Sequence, residues 1–412
     1  MALHGSKKRL HQLQLFLVSS YASKLFVVRK IGESKSAEHS NCNRPFNTLN
    51  SSQKLALSLN INVSPFSSPS DLTQELKSFC ESAGKQLLYL CLRPEWEAYS
   101  KNKSGSQLFD RGIRPLIQLI AHDLNLTAFT KRLYVSTVVV EQASLNVETI
   151  LSILSTADVF APLLKKTLLG RSAEQDLFQA TDISRFRLET KDLDQLLAHI
   201  LLFHYEHGVL HTKKAYCNIH FYRYQNKILV LSDRLDKLQN FFIETTNFFG
   251  PIGLTYNRKK TRILTKQQTF RFLGFEMVPK FLVIRGSIYS QAYLNASKEE
   301  KKFVLAKARY ILRSKHRDGT TRAKTNMPLS KAIAFINPLV INWNRYYVNL
   351  VPRETFEHLD WLLNEKIYRW YVKRLKKNRV THWNKKCIQI KKGKKRIAQD
   401  GYILELFNDK DA

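Results

Sequence analysis

Protein chemistry is mostly done by carboxylates, imidazoles and thiols gathered at short spacings, and this sequence holds few such gatherings. Cys217 and His220 are separated as two metal ligands can be, but no second pair follows to complete a four-coordinate site. Core or loop positions account for both more simply. Asp233 and Asp236 form an acidic pair where a helix should begin, so their charge favours the helix dipole rather than a metal ion. His382-Trp-Asn384 shares letters with a His-based nuclease site but reads as a structural or RNA-contacting segment. The stretch 366–396 is different, with fourteen Lys or Arg among thirty-one residues and no acid. Its chemistry is the binding of phosphates. A solvated tail is the alternative, yet Tyr368, Trp370, Tyr371 and Trp383 lie inside the run, and Trp343, Tyr346 and Tyr347 lie just before it. Cations are thus interleaved with rings that can anchor in a core or stack on bases. Trp370 is the first candidate for the core.

The whole chain shares this bias. Across 412 residues, 66 Lys+Arg against 34 Asp+Glu leave a formal charge of +32, which repels itself unless a polyanion neutralises it. Nucleic acid is the expected polyanion. A membrane partner is not expected, since spanning a bilayer takes an apolar run of about 20 residues and surface anchoring a broad apolar face. The cysteines (Cys42, Cys80, Cys91, Cys217, Cys387) are odd in number and never spaced C-x-x-C, which argues against a disulfide framework and for a reducing compartment. Residues 1–32 are basic and free of acids, as an organelle leader is. However, Leu13, Leu15, Phe16, Leu17 and Val18, then Leu25, Phe26, Val27 and Val28, form apolar faces that predict a folded helix instead.

The elements that must position these groups follow from periodicity. Residues 10–30 read as helical, 31–70 as a loop-rich connector with Pro45, Pro65 and Pro69, and 72–92 and 113–124 as helices parted by Gly105 and Gly112. Leu133–Val140 and Lys227–Leu231 have the length and branching of strands, with a helical stretch at 193–207 between them. Ser232 is placed to cap a helix whose apolar face would be Leu235, Leu238, Phe242 and Ile243. From about Ser297 the pattern is helical nearly to the end. Phe356, Leu359, Leu363, Ile367 and Trp370 recur at steps of three and four on one face, and Lys366, Arg369, Lys373 and Lys376 on another. No internal repeat is visible. An α+β chain with a helical second half is predicted.

Several of these segments resemble group II intron maturases. Ala334-Phe-Ile-Asn-Pro338, Trp343-Asn-Arg-Tyr-Tyr347, Phe356 with Leu359-Asp360, and Arg369-Trp370 are similar to the family's domain X. Gly253-Leu-Thr-Tyr-Asn257 with Lys260-Thr261, and Phe272-Leu-Gly-Phe275, resemble the last two blocks of its reverse-transcriptase palm. Leu92-Arg-Pro-Glu-Trp-Glu-Ala98 resembles the fingers-to-palm block, and Leu13-Gln14 through Val28-Arg29 the N-terminal extension. The resemblance implies a right-hand, reverse-transcriptase-like fingers and palm followed by an all-α thumb and domain X. Its expected boundaries are 1–63 for the helical extension, 64–295 for fingers and palm, and 296–412 for thumb and domain X.

The polymerase half departs from that family. Nucleotidyl transfer needs carboxylates that hold two metal ions, and the family places two of them in a Tyr-x-Asp-Asp turn. Here the aligned residues are Tyr224-Gln-Asn226-Lys227, so a neutral amide and a cation replace both. Val138 stands near the expected position of the third carboxylate, and Glu141 is the first acid beyond it. Leu196-Leu-Ala-His199 survives, but the preceding Glu189-Thr-Lys-Asp192 lacks the family's glycine, and the basic block expected before Leu92 is absent.

These departures imply a splicing cofactor whose polymerase site is vestigial, with no metal or cofactor of its own and with Mg²⁺ held by the intron RNA. The partner is intron RNA in a precursor transcript. Lys259, Lys260, Arg345, Lys366, Arg369, Lys373, Arg374, Lys376, Lys377 and Arg379 are the expected phosphate contacts, and Tyr346 and Trp383 the expected stacking rings. Plastid localisation is expected, with mitochondrion second, and the lack of a visible import signal favours an organelle-encoded chain. The oligomeric state stays open, a dimer included. An active reverse transcriptase with displaced metal ligands, and a general RNA chaperone, are the alternatives.

Overall fold

The computed structural model describes residues 7–38, 51–61, 74–103, 113–125, 133–156, 158–169, 193–210, 219–257, 261–265, 268–284, 287–315, 320–373, 379–391 and 393–409. In chain order the elements are α1 (Lys7–Ser19), α2 (Tyr21–Glu38), α3 (Ser51–Asn60), α4 (Gln74–Lys103), α5 (Ile113–Leu124), β1 (Tyr134–Gln142), α6 (Val147–Leu154), α7 (Ala161–Leu169), α8 (Leu193–Tyr205), β2 (Ile219–Tyr224), β3 (Lys227–Ser232), α9 (Leu235–Ile252), β4 (Leu254–Tyr256) and β5 (Arg262–Thr265). They continue as β6 (Phe270–Phe272), β7 (Phe275–Ile284), β8 (Ser287–Ala296), α10 (Lys298–Leu312), β9 (Arg313–Lys315), β10 (Thr321–Ala323), α11 (Leu329–Tyr347), α12 (Arg353–Val372), α13 (Arg379–Lys386), β11 (Ile388–Lys391), β12 (Lys394–Gln399) and β13 (Tyr402–Ile403). The chain divides into two compact units, one of residues 1–112 with 136–263, the other of 113–135 with 264–412. The expected boundaries at 63/64 and 295/296 do not coincide with that division.

In the first unit, α8 is apolar nearly all round and buried from Leu196 through Phe203, the pattern of a central helix. A sheet runs β2-β3-β1-β4, and β3 is buried from Ile228 to Ser232. The extension joins this unit because the Gln14 side-chain N–H donates to Glu95 Oε2 at 2.8 Å, tying α1 to α4. Burial pushes the Glu95 carboxyl up, and the amide donor opposes that shift.

Local details correct two expectations here. Residues 51–60 form α3 within the expected connector, held by Leu57 and Ile61, which are buried, against α2. Arg234, not Ser232, is the N-cap residue of α9, and the Ser232 hydroxyl instead accepts from the Arg234 backbone N–H. The buried face of α9 is Leu238, Phe241, Thr245, Phe249 and Ile252, leaving Leu235 and Ile243 exposed.

The stretch 296–412, expected to be all-α, is not: beside α10, α11 and α12, which pack together, it holds the β9–β10 hairpin and β11-β12-β13, and the second unit also contains the β6-β7-β8 sheet. Strand spacing is hidden in 388–403 because a block of cations, Lys391, Lys392, Lys394, Lys395 and Arg396, interrupts the apolar alternation. Ile397 and Ala398 are buried on opposite faces of β12, and Arg396 is buried in ion pairs with Glu405 and Asp409. The β6–β8 sheet joins α10 and α11 through Gly274, whose carbonyl accepts from Ser297 N–H at 2.8 Å and from Tyr347 Oη at 3.2 Å. That connection explains why 264–295 belongs with the helices.

Candidate nucleic-acid interface

In the first unit the β2–β3 hairpin turns through Gln225, which sits at φ 52, and brings Asn226 beside β1. Asn226 O accepts from Val140 N–H at 2.8 Å, and the Asn226 side-chain amide donates to Val140 O at 3.1 Å. Val138 is buried, Lys227 is exposed, and burial pushes the Tyr224 phenol up. A divalent ion takes hard oxygen donors. An alkyl group, an amide whose N–H₂ is spent on a backbone carbonyl, and an ammonium do not fit one. Glu141 accepts from Asn257 Nδ2 at 2.7 Å instead. Asp236 pairs with Arg234 at 2.7 Å at the start of α9, and Asp233 lies 4.0 Å from Lys237.

Behind this hairpin, His199 of α8 accepts from the Arg223 guanidinium at 3.5 Å, and Arg223 donates to Glu206 at 3.3 Å. Burial, reinforced by the Arg223 charge, lowers the His199 pKa to about 3, so the ring is neutral. This network ties β2 to α8 through the segment Leu196–His199, which the sequence keeps in the family's pattern.

Among the described residues, expected phosphate contacts converge in the second unit. Lys366, Arg369 and Lys373, one helical row near the end of α12, line a concavity of about 360 Å³ together with Arg309, Leu312, Arg313, Ala323 and Trp370. Its walls are the last turn of α10, the β9–β10 hairpin, in which Arg313 pairs with Ala323, and α12. Arg309 and Arg313 escaped the sequence reading, although their spacing of four residues and the absence of nearby acids were a usable signal. Glu365 accepts from Arg369 Nε at 2.6 Å, an exposed pair of small energetic weight. Arg345 is exposed on α11. Lys259, Lys260, Arg374, Lys376 and Lys377 lie outside the described residues, as does the side chain of Arg379.

Both expected stacking rings are engaged in the protein. Trp383 is 7% exposed and packs against Tyr368 and Tyr371, with centroids at 5.3 and 5.4 Å. Tyr346 stacks on Phe275 and donates its hydroxyl to Leu273 O at 2.8 Å. Their aromatic surface closes the core because α11 and α13 need apolar cover on those sides.

The polar residues of the domain-X-like segments are anchors. Asn337 Nδ2 donates to Ile403 O at 2.9 Å, and Asn337 Oδ1 accepts from Glu405 N–H at 3.0 Å. Asn344 Nδ2 donates to Phe407 O and Asp409 O, and the Asp360 carboxylate accepts from Phe407 and Asn408 N–H. Three motif side chains therefore clasp residues 403–409 onto α11 and α12.

Comparison with known proteins bears on this unit. Residues 311–388 match the family model of the group II intron, maturase-specific domain. No curated protein matches the chain. Among solved structures, telomerase from Candida albicans in complex with a TWJ fragment of telomeric RNA aligns at 10% identity and a TM-score of 0.36, over 74% of this chain and 54% of its own. The chain spans about half the length of that telomerase chain.

Proposed function

We propose that this protein binds group II intron RNA and assists its splicing by stabilising the active RNA fold, with transesterification left to metal ions held by the RNA. The observation that carries this reading is the coincidence of the maturase-specific match at 311–388 with the cationic cleft at Arg313, Lys366, Arg369 and Lys373. A polymerase role is not part of it. The residues at 138, 226 and 227 do not fit the metal ions that nucleotidyl transfer requires. The right-hand layout of fingers, palm and thumb is the arrangement we assign, supported by the palm-like motifs in the sequence. A plastid is the assigned compartment, with a mitochondrion second, because a degenerate polymerase half beside a retained domain X is the pattern of the organellar maturases that the sequence resembles.

Splicing of candidate organellar group II introns at low Mg²⁺, with and without the purified full chain, tests the reading. Protein-dependent splicing that survives Lys227→Ala but fails in an Arg369→Ala, Lys373→Ala variant is the expected result. Tight binding to unrelated structured RNA without stimulation of any intron would replace it with a general chaperone role. Primer extension in Mg²⁺ or Mn²⁺ would restore the polymerase reading.

A further inference from the structure

The cleft on the second unit is shaped for something narrower than a duplex backbone. Five cationic side chains, Arg309, Arg313, Lys366, Arg369 and Lys373, line one concavity of about 360 Å³, and no acid is among its lining residues. Arg369 is paired with Glu365 at its exposed edge, but the cations still outnumber this one acid and repel each other until an anion enters, which suits the site to phosphate oxygens. Phosphate alone does not account for the remaining walls. Ala323 adds a small apolar patch over the buried Leu312 and Trp370, and three of the five cations are arginines, whose flat guanidinium groups stack on bases as well as pairing with phosphates. The volume falls within the range of about 300–1,000 Å³ usual for small-molecule sites. A duplex presents a convex row of phosphates with its bases turned inward, and it can touch only the rim of such a hollow. An unpaired nucleotide can lay its base over Ala323 and an arginine plane while its flanking phosphates meet the remaining cations.

Resting on the proposed intron-binding role, we infer that this cleft captures a single unpaired nucleotide of the intron, a bulge or a flipped residue, rather than a stretch of helix. The protein then recognises the RNA partly by where its helices are interrupted. Recognition of that kind depends on shape and is tolerant of base identity.

The test uses the full chain and two RNA hairpins identical except for one bulged nucleotide. The wild-type protein is expected to bind the bulged hairpin about tenfold more tightly, the effect of one base-stacking contact. Ala323→Trp, which fills the hollow without changing charge, should lower affinity for the bulged hairpin more than for the paired one, so that the two bind alike. Arg313→Gln should reduce the preference and serves as the second variant if Ala323→Trp lowers the thermal midpoint. Equal binding of the two hairpins by the wild type, or a preference that survives filling of the cleft, overturns the inference. Inorganic triphosphate that displaces the bulged hairpin as well as a bulged competitor does would make the cleft a free-anion site, and also overturns it. A retained bulge preference in a protein that stimulates no intron would instead leave the cleft standing and remove the splicing role.

Discussion

The phenolic oxygen of Tyr347 lies 3.2 Å from the carbonyl oxygen of Gly274 and donates to it. A Cβ at position 274 would stand 2.7 Å from that same phenolic oxygen, with the backbone already at φ +79. The glycine of one motif and the last tyrosine of another are therefore fitted to each other. Gly274→Ala should cost about 3 kcal/mol through left-handed strain and overpacking, and Tyr347→Phe about 1 kcal/mol. Because removing the hydroxyl also relieves the close approach, Gly274→Ala should cost about 1 kcal/mol less when combined with Tyr347→Phe. Urea unfolding of the four proteins in this cycle measures it, and strict additivity would refute the fit.

The clasp on residues 403–409 should be energetically substantial. Asp360 receives two backbone N–H groups, at 2.7 and 3.2 Å, and charge-assisted bonds of this kind are the stronger ones. Asp360→Ala is expected to destabilise by about 3 kcal/mol, leaving those donors without this acceptor. Proteolysis should then cut first near Phe407. An unchanged cleavage pattern would show that the Asn337 and Asn344 hydrogen bonds and the Trp343–Phe407 packing hold the segment without Asp360.

Placing acids at positions 138, 226 and 227 should not produce polymerase activity. Asn226→Asp sets a carboxylate oxygen against the Val140 carbonyl where an N–H donor stands now, at an expected cost of about 2 kcal/mol. Val138→Asp would bury a charge in the core, which is more expensive still. The variant with aspartate at 138, 226 and 227 is expected to unfold at lower urea than the wild type and to give no primer extension in Mg²⁺ or Mn²⁺.

Charge and aromatic substitutions should separate binding from stability. Arg369→Glu with Lys373→Glu should weaken RNA binding and flatten the slope of log K against log salt by about 0.7–0.9 for each phosphate that is no longer neutralised. Trp383→Ala should instead cost about 3–5 kcal/mol of stability, as expected for a buried ring. Filter binding across a salt series, on proteins whose unfolding is measured in parallel, distinguishes the two.

His199 makes stability pH-dependent in a known direction. Its folded pKa of about 3 lies below the ordinary value of 6.5, so the unfolded chain takes up the proton first. The contribution is complete above pH 6.5 and is lost as pH falls from there toward 3. At pH 5 the loss from this one group is about 2 kcal/mol. His199→Asn, which keeps an acceptor for Arg223, should show a smaller drop in stability between about pH 7.5 and pH 5 than the wild type.

Much of the architecture was legible in local pattern. The row Phe356, Leu359, Leu363, Ile367, Trp370 is the buried face of α12, and the row Lys366, Arg369, Lys373 lines its cleft, because helical periodicity is a property of neighbouring residues. The strands at 134–142 and 227–232 were legible for the same reason. Local pattern failed where partners decide the outcome. The strands at 388–403 need one another to satisfy their backbone groups, and α3 needs α2 to cover Leu57.

By itself, the sequence determined charge, helical faces and the types of residue at 138, 226 and 227, since these depend on composition and short-range spacing. Tertiary structure alone decided that Tyr346 and Trp383 close a core while Arg309 and Arg313 join Lys366, Arg369 and Lys373 around one hollow. It also decided that Asn337, Asn344 and Asp360 anchor a segment more than forty residues downstream. Whether a ring stacks on RNA or on protein, and whether an amide meets water or a distant carbonyl, depends on which surfaces the fold brings together. That pairing is set by packing between elements far apart in the chain.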